Sequence, residues 1–120
     1  MTTAVAWVDA RDRLPGDGMP VAAAITGRYP AESSDTAGEE FWLVMPMYFT
    51  TRHRSADGTE HRDCFVDSDD LVRFPYGRSG AEPVTHWAAL PTLPGTTVHY
   101  VRGAEVQPAL RNVRDKRPSA

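Results

Sequence analysis

His86 has the strongest claim to chemistry in this chain. It stands between Thr85 and Trp87 in the stretch PVTHWAALP, residues 83–91. A histidine there, oriented by the carboxylate of Asp12 or Asp9 from WVDARDRLP, residues 7–15, would form a general base in a cleft between the two stretches. The competing reading is a half-buried histidine that donates one hydrogen bond to a backbone carbonyl. That reading is preferred, because the sequence supplies no nucleophile, metal cluster or oxyanion device beside His86.

Other titratable groups give less. His53, His61 and Cys64 are spaced like ligands, but a two-residue turn at Asp57-Gly58 places His53 and Cys64 on one face of a hairpin and His61 on the other. Asp67, Asp69 and Asp70 resemble the start of a calcium loop without its glycine at the sixth place or its glutamate at the twelfth, and read as a cap and solvated turn. Cys64 is the only cysteine, and the aspartates around it would raise its thiol pKa, which argues against a nucleophile. No glycine-rich phosphate loop, nucleophile elbow or dinucleotide fingerprint is present. No metal and no cofactor are expected.

Binding surfaces are better represented. Trp42, Tyr48, Arg52, His53, Arg54 and His61 all fall on one hairpin arm, mixing aromatic and basic groups as protein interfaces do. Arg111, Arg114, Lys116 and Arg117 make the end of the chain basic and could touch a phosphate backbone. The net charge of −3 favours a protein partner over nucleic acid.

The elements that must position these groups can be read from pattern and punctuation. PVAAAIT, residues 20–26, is a strand begun by Pro20, and residues 27–40 form an exposed polar loop. The aromatic and β-branched run 41–54, then Asp57-Gly58, then a second apolar segment predict a long protruding hairpin over about 41–66, with Arg52 facing Asp63, Phe49 facing Val66 and Thr51 facing Cys64. The first strand is apolar on both faces near Phe41–Phe49, so burial on both sides is expected. Pro46 requires a bulge or an edge. Residues 67–76 are either one helical turn or an irregular return. Residues 82–95 begin as a strand, 96–103 alternate like an edge strand, and the basic segment 104–120 is expected to be disordered.

At 120 residues, 41% hydrophobic and 24% charged, the chain suits one small domain, placed at residues 6–95. Ten prolines and nine glycines promise many loops. The predicted class is α+β or all-β, built on an antiparallel sheet. No apolar run reaches the ~20 residues of a membrane helix, and MTTAVAWVDA has neither a basic leader nor a long apolar segment, so no membrane is expected and the cytoplasm is the expected address.

Two stretches in order, Trp7 with Asp12-Arg13-Leu14-Pro15 and Val84-Thr85-His86-Trp87 with Leu90-Pro91, resemble the opening and closing motifs of a small bacterial and bacteriophage family, domain of unknown function 551. Ala88-Ala89 stands where that family has methionine-proline. The resemblance implies a phage-related or mobile-element setting and no assigned catalysis. Read physically, each motif joins a tryptophan to a Leu-Pro pair, and the prediction is that Trp7, Leu14 and Pro15 meet Trp87, Leu90 and Pro91 as structural anchors. The expected function is a non-catalytic protein-binding accessory module working through the hairpin arm and loop 27–40. A small enzyme using His86 with Asp12 and a nucleic-acid-binding protein using the basic tail are the alternatives.

Overall fold

The computed structural model describes residues 5–30, 38–78 and 83–115. It divides into two compact units, Met1–Leu90 and Pro91–Ala120. The first holds one antiparallel sheet of six strands: β1 (Val8–Asp9), β2 (Pro20–Arg28), β3 (Glu40–Arg54), β4 (Glu60–Val66), β5 (Val72–Arg73) and β6 (Val84–Ala89), in the order β1-β6-β2-β3-β4-β5. The expected antiparallel class is therefore the observed one. Pro20 opens β2 as predicted, where a missing N–H costs least.

One face of the sheet carries the core. Val21, Ala23 and Ile25 of β2, Met47 and Phe49 of β3, Phe65 of β4 and Val84 and Trp87 of β6 cluster there. The Phe49 and Phe65 rings meet edge-on with centroids 5.3 Å apart. Ala10 and Met19, at the two ends of the β1–β2 connection, pack on this face, and Pro15 between them is buried. Alternation along each strand sends the intervening side chains to the opposite face.

Two expectations for this unit need correction. The hairpin exists, but its register is shifted by one. Phe49 faces Phe65, Thr50 faces Cys64, Arg52 faces Arg62 and His53 faces His61. The Gly58 N–H donates to Ser55 O and the Ser55 N–H to Thr59 O, with Gly58 at φ +89°, so the loop is Ala56-Asp57-Gly58, a type I turn closed by a left-handed glycine. A one-residue slip exchanges faces. His53 and His61 are therefore directly opposed, the reverse of the expected separation. Second, the start of β3 is not buried on both sides: Trp42 is 68% and Val44 58% exposed. Of the two readings left open for residues 67–76, residues 67–71 take the irregular return, with a turn at Ser68-Asp69. The Asp67 carboxylate is buried, accepts the Asp69 and Leu71 N–H groups at 2.8 and 3.0 Å, and pairs with Arg73 Nη1 at 2.9 Å.

Pro46 takes the edge position that its missing donor demands. β4 pairs with β3 only from Tyr48 onward, whereas β2 pairs with β3 from Glu40 to Tyr48. Among the described residues, β3 from Glu40 to Met47 has a strand on one side only.

In the second unit, 96–103 is turn and irregular structure instead of an edge strand: the Leu93 N–H donates to Val98 O and the Thr96 N–H to Leu93 O. A single 3-10 turn, Gly103–Glu105, leads into α1 (Val106–Asp115), so this part of the segment expected to be disordered is a helix. Pro108 falls in its first turn, where no backbone donor is needed. Val106, Ala109 and Val113 line its half-buried side, and Gly95, at φ +70°, lies close to Val113. Lys116 and Arg117 lie outside the described residues.

Candidate functional site

The face of the sheet opposite the core holds the groups that can meet a ligand. Asp9 on β1 pairs with His86 on β6, which pairs with Ala24 on β2, which pairs with Val44 on β3, so these four form one row across the sheet. A bulge at Thr85 shifts the β2–β6 register between Ala24 and Ile25, and Thr85 and His86 are thereby in mutual contact although they are neighbours in sequence. Trp7, Ala24, Trp42, Leu43, Val44 and His86 surround a cleft of about 310 Å³. A more polar hollow of about 450 Å³, lined by Asp9, Arg11, Thr26, Trp42, Tyr76, Thr85 and His86, adjoins it and shares Trp42 and His86.

Hydrogen bonds hold this face in one arrangement. The Trp42 indole N–H donates to Thr85 Oγ1 at 2.9 Å, and the Thr85 hydroxyl donates to Ala24 O at 3.2 Å. His86 Nδ1 lies 3.0 Å from Thr85 Oγ1. Because the hydroxyl has a single proton and directs it to Ala24, the third contact is best made by an Nδ1–H donor. The neutral ring then carries its lone pair on Nε2, which lies 3.9 Å from Asp9 Oδ2, beyond hydrogen-bond reach.

Asp9 is committed elsewhere. Arg11 Nε and Nη2 reach its two oxygens at 3.0 and 2.7 Å, and the Arg11 N–H donates to it at 2.8 Å. The guanidinium hydrogen bonds, then the backbone one, hold this carboxyl well below the usual carboxylate range. The Arg11 guanidinium also lies over the Tyr76 ring, 5.2 Å from its centroid. A carboxylate forked by arginine is a poor partner for imidazole as a general base.

The proposed partnership of Asp12 with His86 is not formed. β1 ends at Asp9, the Asp12 and Arg13 N–H groups both donate to Asp9 O, and Asp12 lines an adjoining surface hollow with Leu14, Asp63, Pro75 and Arg78 that does not include His86. The carboxylate nearest His86 is that of Asp9.

The two anchors meet, though not through paired indoles. Val8 pairs with Trp87 in the sheet, the Trp87 indole N–H donates to Arg13 O at 2.8 Å, and the Arg13 guanidinium lies 5.9 Å from the Trp87 ring centroid. Trp87 and Pro15 are buried. Trp7, one residue before Val8, points to the opposite face into the cleft, Leu14 is 37% exposed, Leu90 is half-buried and Pro91 is exposed in the second unit. The two stretches are joined by strand pairing and by the Trp87–Arg13 hydrogen bond.

The residues expected on the hairpin arm separate. Trp42 and Tyr48 belong to the open face, both exposed. Arg52 is paired with Glu60 at 2.9 Å, and Arg54 is exposed. His53 is largely buried, with Nε2 3.1 Å from Asp70 Oδ1 but without hydrogen-bond geometry, and His61 lies against Phe74 with ring centroids 5.8 Å apart. Cys64 is buried, and burial, more than the nearby aspartate, pushes its thiol up. No group of three or more His, Cys, Asp or Glu side chains suited to a metal occurs among the described residues. Of the loop 27–40, Gly27 and Arg28 belong to β2 and Glu40 to β3, Arg28 pairs with Glu40 at 3.1 Å, and residues 31–37 lie outside the described residues. Arg111 and Arg114 are exposed on α1. No helix among the described residues is long and apolar enough to cross a membrane.

Sequence reasoning missed Trp7 and Val44 as surface groups. The signal was present in the period-two alternation of FWLVM, which places Trp42 and Val44 together on one side, but nothing in the pattern says whether a second layer covers that side. Compared with family models, with curated proteins and with solved structures, the chain matches none.

Proposed function

We propose that this chain is a cytoplasmic, non-catalytic protein-binding module of phage or mobile-element type, and that its contact surface is the open face of the sheet around Trp7, Trp42 and Val44. One observation carries the reading: Trp42 is 68% exposed yet fixed in orientation by its indole hydrogen bond to Thr85. An exposed aromatic that loses little conformational freedom on contact is well suited to anchor an interface. The cleft between Trp7 and Trp42 is of a size to take one apolar side chain, and the Asp9–Arg11 pair with Tyr76 supplies a polar rim. The resemblance to the domain of unknown function 551 is retained as part of the same proposal, resting on Trp7, Asp12–Pro15 and Val84–Trp87.

The surface moves from the hairpin arm to the sheet because the arm satisfies much of itself. Arg52 is paired with Glu60, His53 is turned inward and His61 lies against Phe74. The enzyme reading is weaker, since Asp9 is held by Arg11 and His86 pairs in the sheet with Asp9 and not with Asp12.

Affinity capture from the native host with wild-type, Val44→Asp, Trp42→Ala and Arg54→Ala chains tests the reading. A partner retained by wild type and Arg54→Ala, and lost from Val44→Asp and Trp42→Ala with the fold intact by circular dichroism, supports it. Retention by Val44→Asp, or loss on Arg54→Ala alone, overturns it.

A further inference from the structure

We infer that the free edge of β3 pairs with the same edge of a second copy of the chain, in an antiparallel register centred on Leu43. The inference goes beyond the reading of the open face as a contact surface: pairing at the edge covers the backbone of β3 and leaves that face open. Its origin is the backbone. The Tyr29 N–H donates to Glu39 O and the Phe49 N–H to Met19 O, which fixes the phase of the ladder: odd-numbered residues of β3 turn their N–H and C=O groups toward β2. Even-numbered residues turn theirs away. At Tyr48 and Thr50 β4 lies opposite them, but at Glu40, Trp42, Val44 and Pro46 no strand does among the described residues.

The other edges of the sheet are blunted. β1 and β5 are two residues long. The outer side of β4 is closed by Arg78, whose Nη1 donates to Arg62 O and Asp63 O at 3.1 and 2.8 Å, and Asp63 at φ +50° interrupts the strand there. Short strands, bulges and covering side chains are the usual defences of a sheet edge against further pairing. Among the described residues, β3 has none of these between Phe41 and Met45, and that run, FWLVM, is uncharged and strand-forming, a segment that would invite aggregation if it stayed unpaired.

The edge is complementary to itself. With a two-fold axis at Leu43, Trp42 lies opposite Val44 of the second copy and Phe41 opposite Met45, so every apolar residue of the run faces an apolar residue. Trp42 and Val44 exchange both backbone hydrogen bonds, and the Glu40 N–H reaches Pro46 O of the second copy, about six inter-chain bonds in all. Pro46 has no outward N–H to leave unmade, and Glu40, the one charge at this edge, faces a proline. On the open side an aromatic residue sits beside a β-branched one, a favourable cross-strand pair. Moving the axis to Trp42 would set Glu40 against Val44.

Sedimentation velocity of the full chain from about 1 to 500 µM tests this, since an edge this short falls at the small end of stable interfaces and should dimerise in the micromolar range. Val44→Pro removes one outward N–H and none of the β2–β3 bonds, and should weaken dimerisation about tenfold or more. Leu43→Cys should form an inter-chain disulfide on oxidation, while Met45→Cys, roughly 13 Å from its own copy in this register, should not. Should Val44→Pro fail to fold, concentration-dependent hydrogen-exchange protection of the wild-type Trp42 and Val44 amides gives the same decision. A chain that stays monomeric at 500 µM, or a dimer in which Leu43→Cys does not cross-link, overturns the inference. If the chain is monomeric while Val44→Asp still abolishes partner capture, the self-pairing alone falls and the contact-face reading stands.

Discussion

The Trp42 indole N–H donates to Thr85 Oγ1 at 2.9 Å, tying β3 to β6 across the intervening β2 on the open face of the sheet. Thr85 can serve this role because the bulge between Ala24 and Ile25 releases it from regular alternation. Trp42→Phe keeps the ring and removes the donor, and should lower unfolding free energy by about 0.5–1.5 kcal/mol. A double-mutant cycle with Thr85→Val, read by urea denaturation, should show a coupling of the same order. A coupling indistinguishable from zero would mean that the indole is oriented by something else.

The two tryptophans of the terminal motifs should separate sharply on truncation. Trp87 is buried and hydrogen-bonded to Arg13 O, so Trp87→Ala should cost about 3–5 kcal/mol. Trp7 is 42% exposed in the cleft, and Trp7→Ala should cost about 1 kcal/mol or less while removing whatever the open face binds. Equal losses in thermal denaturation would show that both indoles are structural.

The contrast between those residues also shows what was legible in sequence. The two motifs do come together, but the pairing of Val8 with Trp87 puts Trp7 on the face that Trp87 leaves, a consequence of alternation that a motif match does not express. Asp57-Gly58 marked the hairpin, yet the same dipeptide serves a two-residue turn or the last two places of a three-residue one. Here Gly58 takes the left-handed position after a type I turn, which moves every pair by one. The segment from Ala104 onward reads as disordered, yet residues 106–115 form a helix, and Pro108 falls in its first turn, where a proline breaks nothing. The sequence offers both Asp9 and Asp12 to His86, and the choice of Asp9 depends on strand pairing between residues far apart in the chain, which local pattern cannot supply.

Cys64 should behave as an inert thiol. It is buried opposite Thr50 in the β3–β4 ladder, and burial pushes its pKa up. Ellman's reagent at pH 8 should label the native protein only at the rate of opening or unfolding, and label the urea-denatured chain at once. Rapid labelling of the folded protein would contradict the packing of this ladder.

Asp67 and Arg73 should set part of the acid limb of stability. Burial alone pushes the Asp67 carboxyl up, but the hydrogen bonds from the Leu71 N–H, Arg73 and the Asp69 N–H together outweigh it and hold the group below its ordinary value of 3.8. A carboxyl depressed in the folded state binds its proton less readily there than in the unfolded chain. Its contribution is therefore complete above about pH 4, and is lost as pH falls through the folded pKa. Asp67→Asn should destabilise by about 1.5–3 kcal/mol at pH 7, because it removes the charge from a largely buried, hydrogen-bonded pair with Arg73. The variant should also lose less stability than wild type between pH 4 and pH 2. The limb will flatten without vanishing, since hydrogen-bonded Asp9, Asp17 and Asp57 are depressed as well. Denaturation curves at stepped pH give both numbers, and parallel acid limbs for the two proteins would show that this ion pair does not couple protons to folding.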